Sequence, residues 1–261
     1  MKKGIIIIIA LVLLLGLGYW QRGWIRDTWD SISTPELPEP TAKNAVVNTS
    51  VENSNSTTTN TAITNTVVTL PDEINLDVPF SSQAPFANWD LPYQEACEET
   101  AALMVQRYWE DEPLTKEDAD RSILAIVDFE EQHYGFYQDT TGEETARFIR
   151  DLWGYEVEVS TGDAVTALAI KQEIAQGHPI IVLAAGRQLG NPNFTSPGPI
   201  YHALVVKGYT KDGHFITNDP GTRNGADYVY EESVLMNAIH DWNGGDVDHG
   251  QKVMLVVTPA K

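Results

Sequence analysis

The chain has a single cysteine, Cys97, among 261 residues. An internal disulfide framework is therefore excluded, and so is any CxxC metal pair, which needs a second thiol. Basic residues are also scarce: 17 Lys and Arg stand against 37 Asp and Glu, for a net charge of −20. Such a surface repels phosphate backbones, which argues against a nucleic-acid partner. There is no G-x-x-x-x-G-K-[ST] phosphate loop and no internal repeat. No cofactor is implied. The acidic doublets Glu98-Glu99, Glu130-Glu131, Glu143-Glu144 and Glu231-Glu232 fit solvated helix faces and ask for no catalytic carboxylate.

What is present begins with one long apolar run, Gly4 to Trp20, preceded by Lys2 and Lys3 and followed by Trp24. At about 1.5 Å per residue it reaches roughly 26 Å, and counting through Ile25 makes it long enough to span a hydrocarbon core. Tryptophans at its far end suit a membrane interface. It lacks an A-x-A-like cleavage site, and no cysteine closely follows, which argues against a lipoprotein anchor. Residues 1–30 are therefore expected to form an uncleaved signal anchor, a single pass through the cell membrane; the alternative is a cleaved signal peptide, which would leave the protein secreted. The rest of the chain would then be extracytoplasmic. Residues 31–74 are dominated by Ser, Thr, Asn and Pro and read as a disordered linker. Such a coil would hold a domain on the order of 35–40 Å from the membrane.

From residue 75 to 261 the texture is that of one globular domain. Val78-Pro79-Phe80 reads as a short edge strand. Helices are expected over Tyr93–Trp109 (with Asp90 as cap and Pro92 in the first turn), Thr115–Tyr134, Thr141–Trp153 and Ala164–Gln176. Strands are expected over 155–159, 179–185, 200–209, 214–218, 228–230 and 252–258, with Lys211-Asp212-Gly213 closing a hairpin. Helices first and strands last argue for an α+β fold with an antiparallel sheet.

Cys97 falls near the start of its expected helix, where the helix dipole favours a thiolate, and a neighbouring imidazolium would favour it further. Glu98 and Glu99 act against this, and the sequence leaves the balance open. His202 opens an apolar strand, Tyr201-His202-Ala203-Leu204-Val205-Val206, which makes it the best placed of six histidines. Asp219, with Asn218 as a possible substitute, ends the strand that the hairpin returns to the same end of the ladder. Cys97 as nucleophile, His202 as base and Asp219 as orienter form a thiol-hydrolase set. His133, His178, His214 and His240 read as structural, and Asp246-Val247-Asp248-His249 as a loop rather than a metal site. The Asn-, Pro- and Gly-rich stretch from Gly186 to Gly198 either borders a cleft or is a long connection.

These residues carry a resemblance. Leu76-Asp77-Val78-Pro79-Phe80 with Gln83, Cys97 with Met104, His202 through Tyr209, and Asn218-Asp219-Pro220 together resemble the bacteriocin-processing, double-glycine-leader cysteine peptidase family and its stand-alone members. The resemblance spans about 76–220. It implies a papain-like fold with helices packed on an antiparallel sheet, catalytic order Cys, His, Asp, and a Gln that donates to the oxyanion. Gln83 matches that Gln by motif, whereas Gln94 lies closer to Cys97. The glycine usual after the catalytic Cys is Glu98 here. The expected function is peptide-bond hydrolysis on peptide or protein substrates by a membrane-anchored enzyme. The alternatives are a catalytically silent module binding peptides or cell-wall polymer, and a peptidoglycan amidase.

Overall fold

A computed structural model describes residues 36–42 and 70–260. The expected anchor and most of the expected linker lie outside the described residues. The chain divides into two units, Met1–Leu37 and Pro38–Lys261, and every element below belongs to the second. Among the described residues, no helix is long and apolar enough to cross a membrane.

The elements are β1 (Ile74–Asn75), α1 (Cys97–Glu110), α2 (Lys116–His133), α3 (Gly142–Trp153), β2 (Glu156–Thr161) and α4 (Ala167–Ala175). Then come β3 (Ile180–Ala185), β4 (Tyr201–Tyr209), β5 (His214–Asn218), β6 (Tyr228–Glu231), α5 (Glu232–Ala238) and β7 (Val253–Thr258). The sheet is antiparallel, in the order β2-β7-β3-β4-β5-β6, with β1 added to β4 beyond the end of β3. The fold is α+β, as expected, and α5 is a helix that the sequence pattern did not announce. It has no side-chain cap and only seven residues, too few for a clear 3.6-residue pattern.

Sequence chemistry accounts for most boundaries. The Thr115 hydroxyl accepts from the Asp118 N–H to start α2. Thr141 and Glu144 form a reciprocal capping box at α3, and Gly154 ends that helix in the left-handed region. Every residue of β3 and β4 is buried; β3 is a continuous apolar run, and β4 is apolar apart from His202 and Lys207, whose side chains pair with Asp219 and Asp227. Gly208 sits where β1 crosses: a Cβ there would lie 2.3 Å from the Ile74 carbonyl oxygen. Only glycine admits that approach.

Four expectations need correction. The first helix begins at Cys97, not Tyr93. A 3₁₀ turn over Tyr93–Glu95 precedes it, Ala96 (φ −101°, ψ 34°) leaves helical geometry, and neither Asp90 nor Pro92 serves the helix start. Val78-Pro79-Phe80 is not a strand. Instead the carbonyls of Val78 and Pro79 accept from Asn218 Nδ2, so Asn218 ties down this segment rather than standing in for Asp219. Part of the expected linker is built into the domain. Thr41 bridges Leu76 in parallel, its N–H reaching the Asn75 carbonyl while the Asp77 N–H returns to the Thr41 carbonyl. The free edge beside β1 offers pairing that composition alone does not reveal. Finally, Glu98, Glu99 and Glu130 are buried, at 1%, 0% and 1% exposure. Helix α1 runs through the core, and nearly all its residues from Cys97 to Tyr108 are covered. With apolar side chains on every side of Ala101 to Val105, no face of its first turn is left for water.

Candidate active site

Strand β4 and the segment after β5 set the frame. Val205 lies opposite Asn218 across the β4–β5 ladder, so the chain leaving β5 turns back over the start of β4. There His202 Nε2 meets Asp219 Oδ1 at 2.7 Å, with both side chains buried. The hairpin thus brings together the two residues expected to pair.

Asp219 is held at every side. Its Oδ1 also accepts from the Gly221 N–H at 3.0 Å, and its Oδ2 accepts from the Tyr230 hydroxyl at 2.6 Å and from Asn191 Nδ2 at 3.1 Å. Burial alone would raise the Asp219 pKa. The charge and hydrogen bond of His202, then Tyr230 and the Gly221 N–H, outweigh burial and hold the carboxyl below its ordinary value. Burial, and then the same carboxylate, push the Tyr230 hydroxyl pKa strongly upward, so Tyr230 remains a donor. The His202 ring packs edge-on to Phe194, with centroids 5.3 Å apart, and passes so close to Gly221 that a Cβ there would lie 2.8 Å from Cε1.

Cys97 opens α1 and lines the same cleft as His202, a cavity of about 820 Å³. As the first helical residue, its N–H is among those that a helix leaves without an intrahelical acceptor. The thiol donates to Glu98 Oε2 at 3.0 Å rather than to His202. Burial pushes the Cys97 pKa well up, the Glu98 charge and hydrogen bond add to this, and a backbone bond from Ala203 opposes them without prevailing. The sequence left the effect of the two glutamates open. In this arrangement the thiol is held protonated.

Gln83 and Gln94 both line the cleft. Gln83 is buried, and its Nε2 donates to the carbonyls of Tyr93 at 2.9 Å and Gln94 at 3.1 Å, while its Oε1 has no partner. Gln94 is exposed and bonded to Glu95. The Gly186–Gly198 stretch contributes Asn193, Phe194 and Thr195 to the cleft. His133, His178 and His240 are bound to Phe129 O, Glu173 Oε2 and Gly250 O. His214 lies 3.3 Å from Asp212 Oδ1. His249 is exposed and pairs with Asp246 Oδ1. Among the described residues no group of His, Cys, Asp and Glu is arranged to hold a metal ion.

Sequence reasoning missed Asn191, Gly221 and Tyr230. Tyr230 could be found only by register: β6 pairs with β5, placing Tyr230 opposite Phe215. Asn191 is one of several Asn in a turn-rich loop and carries no local signal.

A model of the Peptidase_C39 like family matches residues 75–244. The chain belongs to this family. The matched segment of this Peptidase_C39-like chain contains Gln83, Cys97, His202 and Asp219. No curated protein matches the chain. Among solved structures it is similar to one described as a C39-like peptidase from Bacillus anthracis, with 14% identity over 72% of this chain and 99% of that one, and a TM-score of 0.48. It is also similar to a fragment of Prevotella intermedia prointerpain A, with 13% identity over 74% of each chain and a TM-score of 0.47.

Proposed function

We propose that this Peptidase_C39-like chain is a thiol hydrolase that cleaves peptide bonds in peptide or protein substrates. The observation that carries the reading is a buried His202–Asp219 pair opening on the same cleft as Cys97. Cys97 Sγ attacks the scissile carbonyl. His202 uses Nε2 to hold Asp219, which leaves Nδ1 to take the thiol proton and later deliver it to the departing amine. Asp219 fixes that tautomer and stabilises the imidazolium. Water then hydrolyses the thioester. The Cys97 N–H and Gln83 Nε2 serve as oxyanion donors, Gln83 exchanging one of its two carbonyl acceptors for the substrate oxygen. Residues 1–30 tether the domain to the membrane and place it outside the cytoplasm. Accessibility of residues 75–261 to added protease in intact cells tests that placement.

A specific observation favours a second reading, a silent module that binds peptides or wall polymer: the thiol is engaged by Glu98 and held protonated. One experiment separates the two. The full chain and its Cys97→Ala and His202→Ala variants are assayed on a peptide library and on wall fragments between pH 5 and 8. Hydrolysis of peptides by the wild type alone supports the peptidase. Turnover retained in Cys97→Ala removes Cys97 from the mechanism, binding without turnover in the wild type supports the silent module, and turnover confined to wall fragments supports an amidase.

A further inference from the structure

Glu98 directly follows the proposed nucleophile and is buried. Both of its oxygens are fixed: Oε2 accepts from the Cys97 thiol at 3.0 Å, and Oε1 accepts from the Thr140 backbone N–H at 3.1 Å. The groups around it come from four elements. Its own helix supplies Cys97 and Glu99, α2 supplies Glu130, the loop before α3 supplies Asp139, and β4 supplies Tyr201 and His202. Of these, only His202 can carry positive charge. No Lys or Arg is among them.

The direction of the bond between sulfur and carboxyl therefore matters. As a carboxylate, Glu98 can only accept, so the proton stays on sulfur. A thiolate 3.0 Å from a carboxylate would be a like-charge pair in a buried site, and that disfavours ionisation. As a neutral acid, Glu98 has a hydrogen to give. Its O–H then donates to sulfur, the bond reverses, and the thiolate is favoured.

We propose that Glu98 is a positioning residue that gates the nucleophile: ionised, it accepts the thiol hydrogen and holds Cys97 at rest; protonated, it donates to sulfur and frees the thiol proton for His202. This deepens the peptidase reading and rests on it. Two further observations agree. Burial pushes the Glu98 carboxyl up to about 7; the Cys97 bond and His202 work against this shift and Asp139 adds to it, so the exchange falls in the physiological range. Behind Glu98, the Glu99 and Glu130 carboxyls are buried, Glu99 with both oxygens and Glu130 with one lacking a partner, so this side supplies no donor or cation to offset the Glu98 charge. Switching on consumes one proton from solvent, so the thiol gains reactivity, relative to an ungated one, as pH falls through about 7.

The test is the second-order rate of iodoacetamide labelling of Cys97 in the full chain from pH 4.5 to 9, for the wild type and for Glu98→Gln. The amide cannot ionise, and its N–H mimics the donating acid. One pKa unit on the thiol is a tenfold change in thiolate fraction, so the variant-to-wild-type ratio is expected to be near one at pH 5 and to rise by about tenfold or more by pH 8.5. A merely structural role would lower or raise the rate by a constant factor. A ratio that does not change with pH overturns the gate. If the glutamine variant does not fold, the wild-type profile decides: a titration step near pH 7, separate from the thiol's own rise, supports the gate, and a single smooth rise overturns it. Labelling needs no cleavage. A Glu98-linked step in a chain that hydrolyses nothing would sink only the peptidase reading, and Cys97-dependent hydrolysis without the step would sink only the gate.

Discussion

Asp219 shows how much support one buried carboxylate takes. Four groups reach it: His202, the Gly221 N–H, the Tyr230 hydroxyl and the Asn191 amide. Tyr230→Phe removes one bond while keeping the ring. A hydrogen bond to a charged group contributes about 1.5–3 kcal/mol, so kcat/KM is expected to fall by about ten- to a hundredfold. Because the Asp219 pKa is depressed, its contribution to stability is present above its ordinary value and lost as pH falls through the lowered one. Losing the Tyr230 donor lets that pKa rise, so the acid limbs of activity and of unfolding both move to higher pH. A variant with lower activity but unmoved acid limbs would assign Tyr230 to packing alone. For Gln83, replacement by Ala is expected to cost on the order of 10²–10³ in kcat, and Gln94→Ala much less. The reverse ranking would move the oxyanion role to Gln94. The His202–Asp219 contact and the cleft shared with Cys97 were legible in the sequence because scarcity, strand position and a hairpin each narrowed the choice. The carboxylate's other holders were not, because Asn191 and Tyr230 reach it from a loop and a strand whose approach depends on tertiary register.

At the scale of elements, caps and periodicity located the helices and strands, while contacts made by backbone decided what they missed. The bounds of α3 were met because Thr141 and Gly154 each satisfy a helix end locally. The start of α1 escaped because Ala96 offers no side-chain cap and the turn before it is 3₁₀. Strand β1 escaped because two residues carry no alternation, and what fixes it is the approach of its backbone to Gly208. Gly208→Ala is therefore expected to dislodge β1, and with it the paired Thr41, at a cost of about 1–3 kcal/mol typical of an overpacked site. Chemical denaturation measures that cost, and hydrogen exchange at Asn75 and Leu76 locates it. Gly221→Ala makes a contrasting case. Its Cβ meets the His202 ring at 2.8 Å rather than a strand backbone, so activity should fall by more than tenfold with a smaller loss of stability. Equal effects of the two substitutions on stability, with activity untouched by Gly221→Ala, would contradict this division.

Across the whole molecule, the buried carboxyls set the sign of its pH dependence. Burial, aided by the Glu98 and Glu144 charges, raises Glu130 to about 8. Glu99 is pushed well above its ordinary value by burial, then by Glu130 and Glu98, and Glu98 stands near 7. A carboxyl whose folded pKa lies above its unfolded value stabilises the fold fully only while protonated in both states. That stability is lost as pH climbs from the ordinary carboxylate range through the raised one. Asp219 acts in the opposite sense, but only at the acid end. The domain is therefore expected to be most stable near pH 5 and to lose several kcal/mol by pH 8.5, at about 1.4 kcal/mol for each unit of raised pKa. For a domain of this size that corresponds to a drop in Tm of about 5 °C or more. The net charge of −20 also destabilises the fold as carboxyls ionise, so the cluster has to be isolated by mutation. Glu130→Gln keeps the size of the side chain and removes one titrating group. It should melt close to the wild type at pH 5 and above it at pH 8.5. If the two differ by the same amount at both pH values, the Glu99–Glu130 pair does not titrate in this range, and the alkaline loss belongs to surface charge.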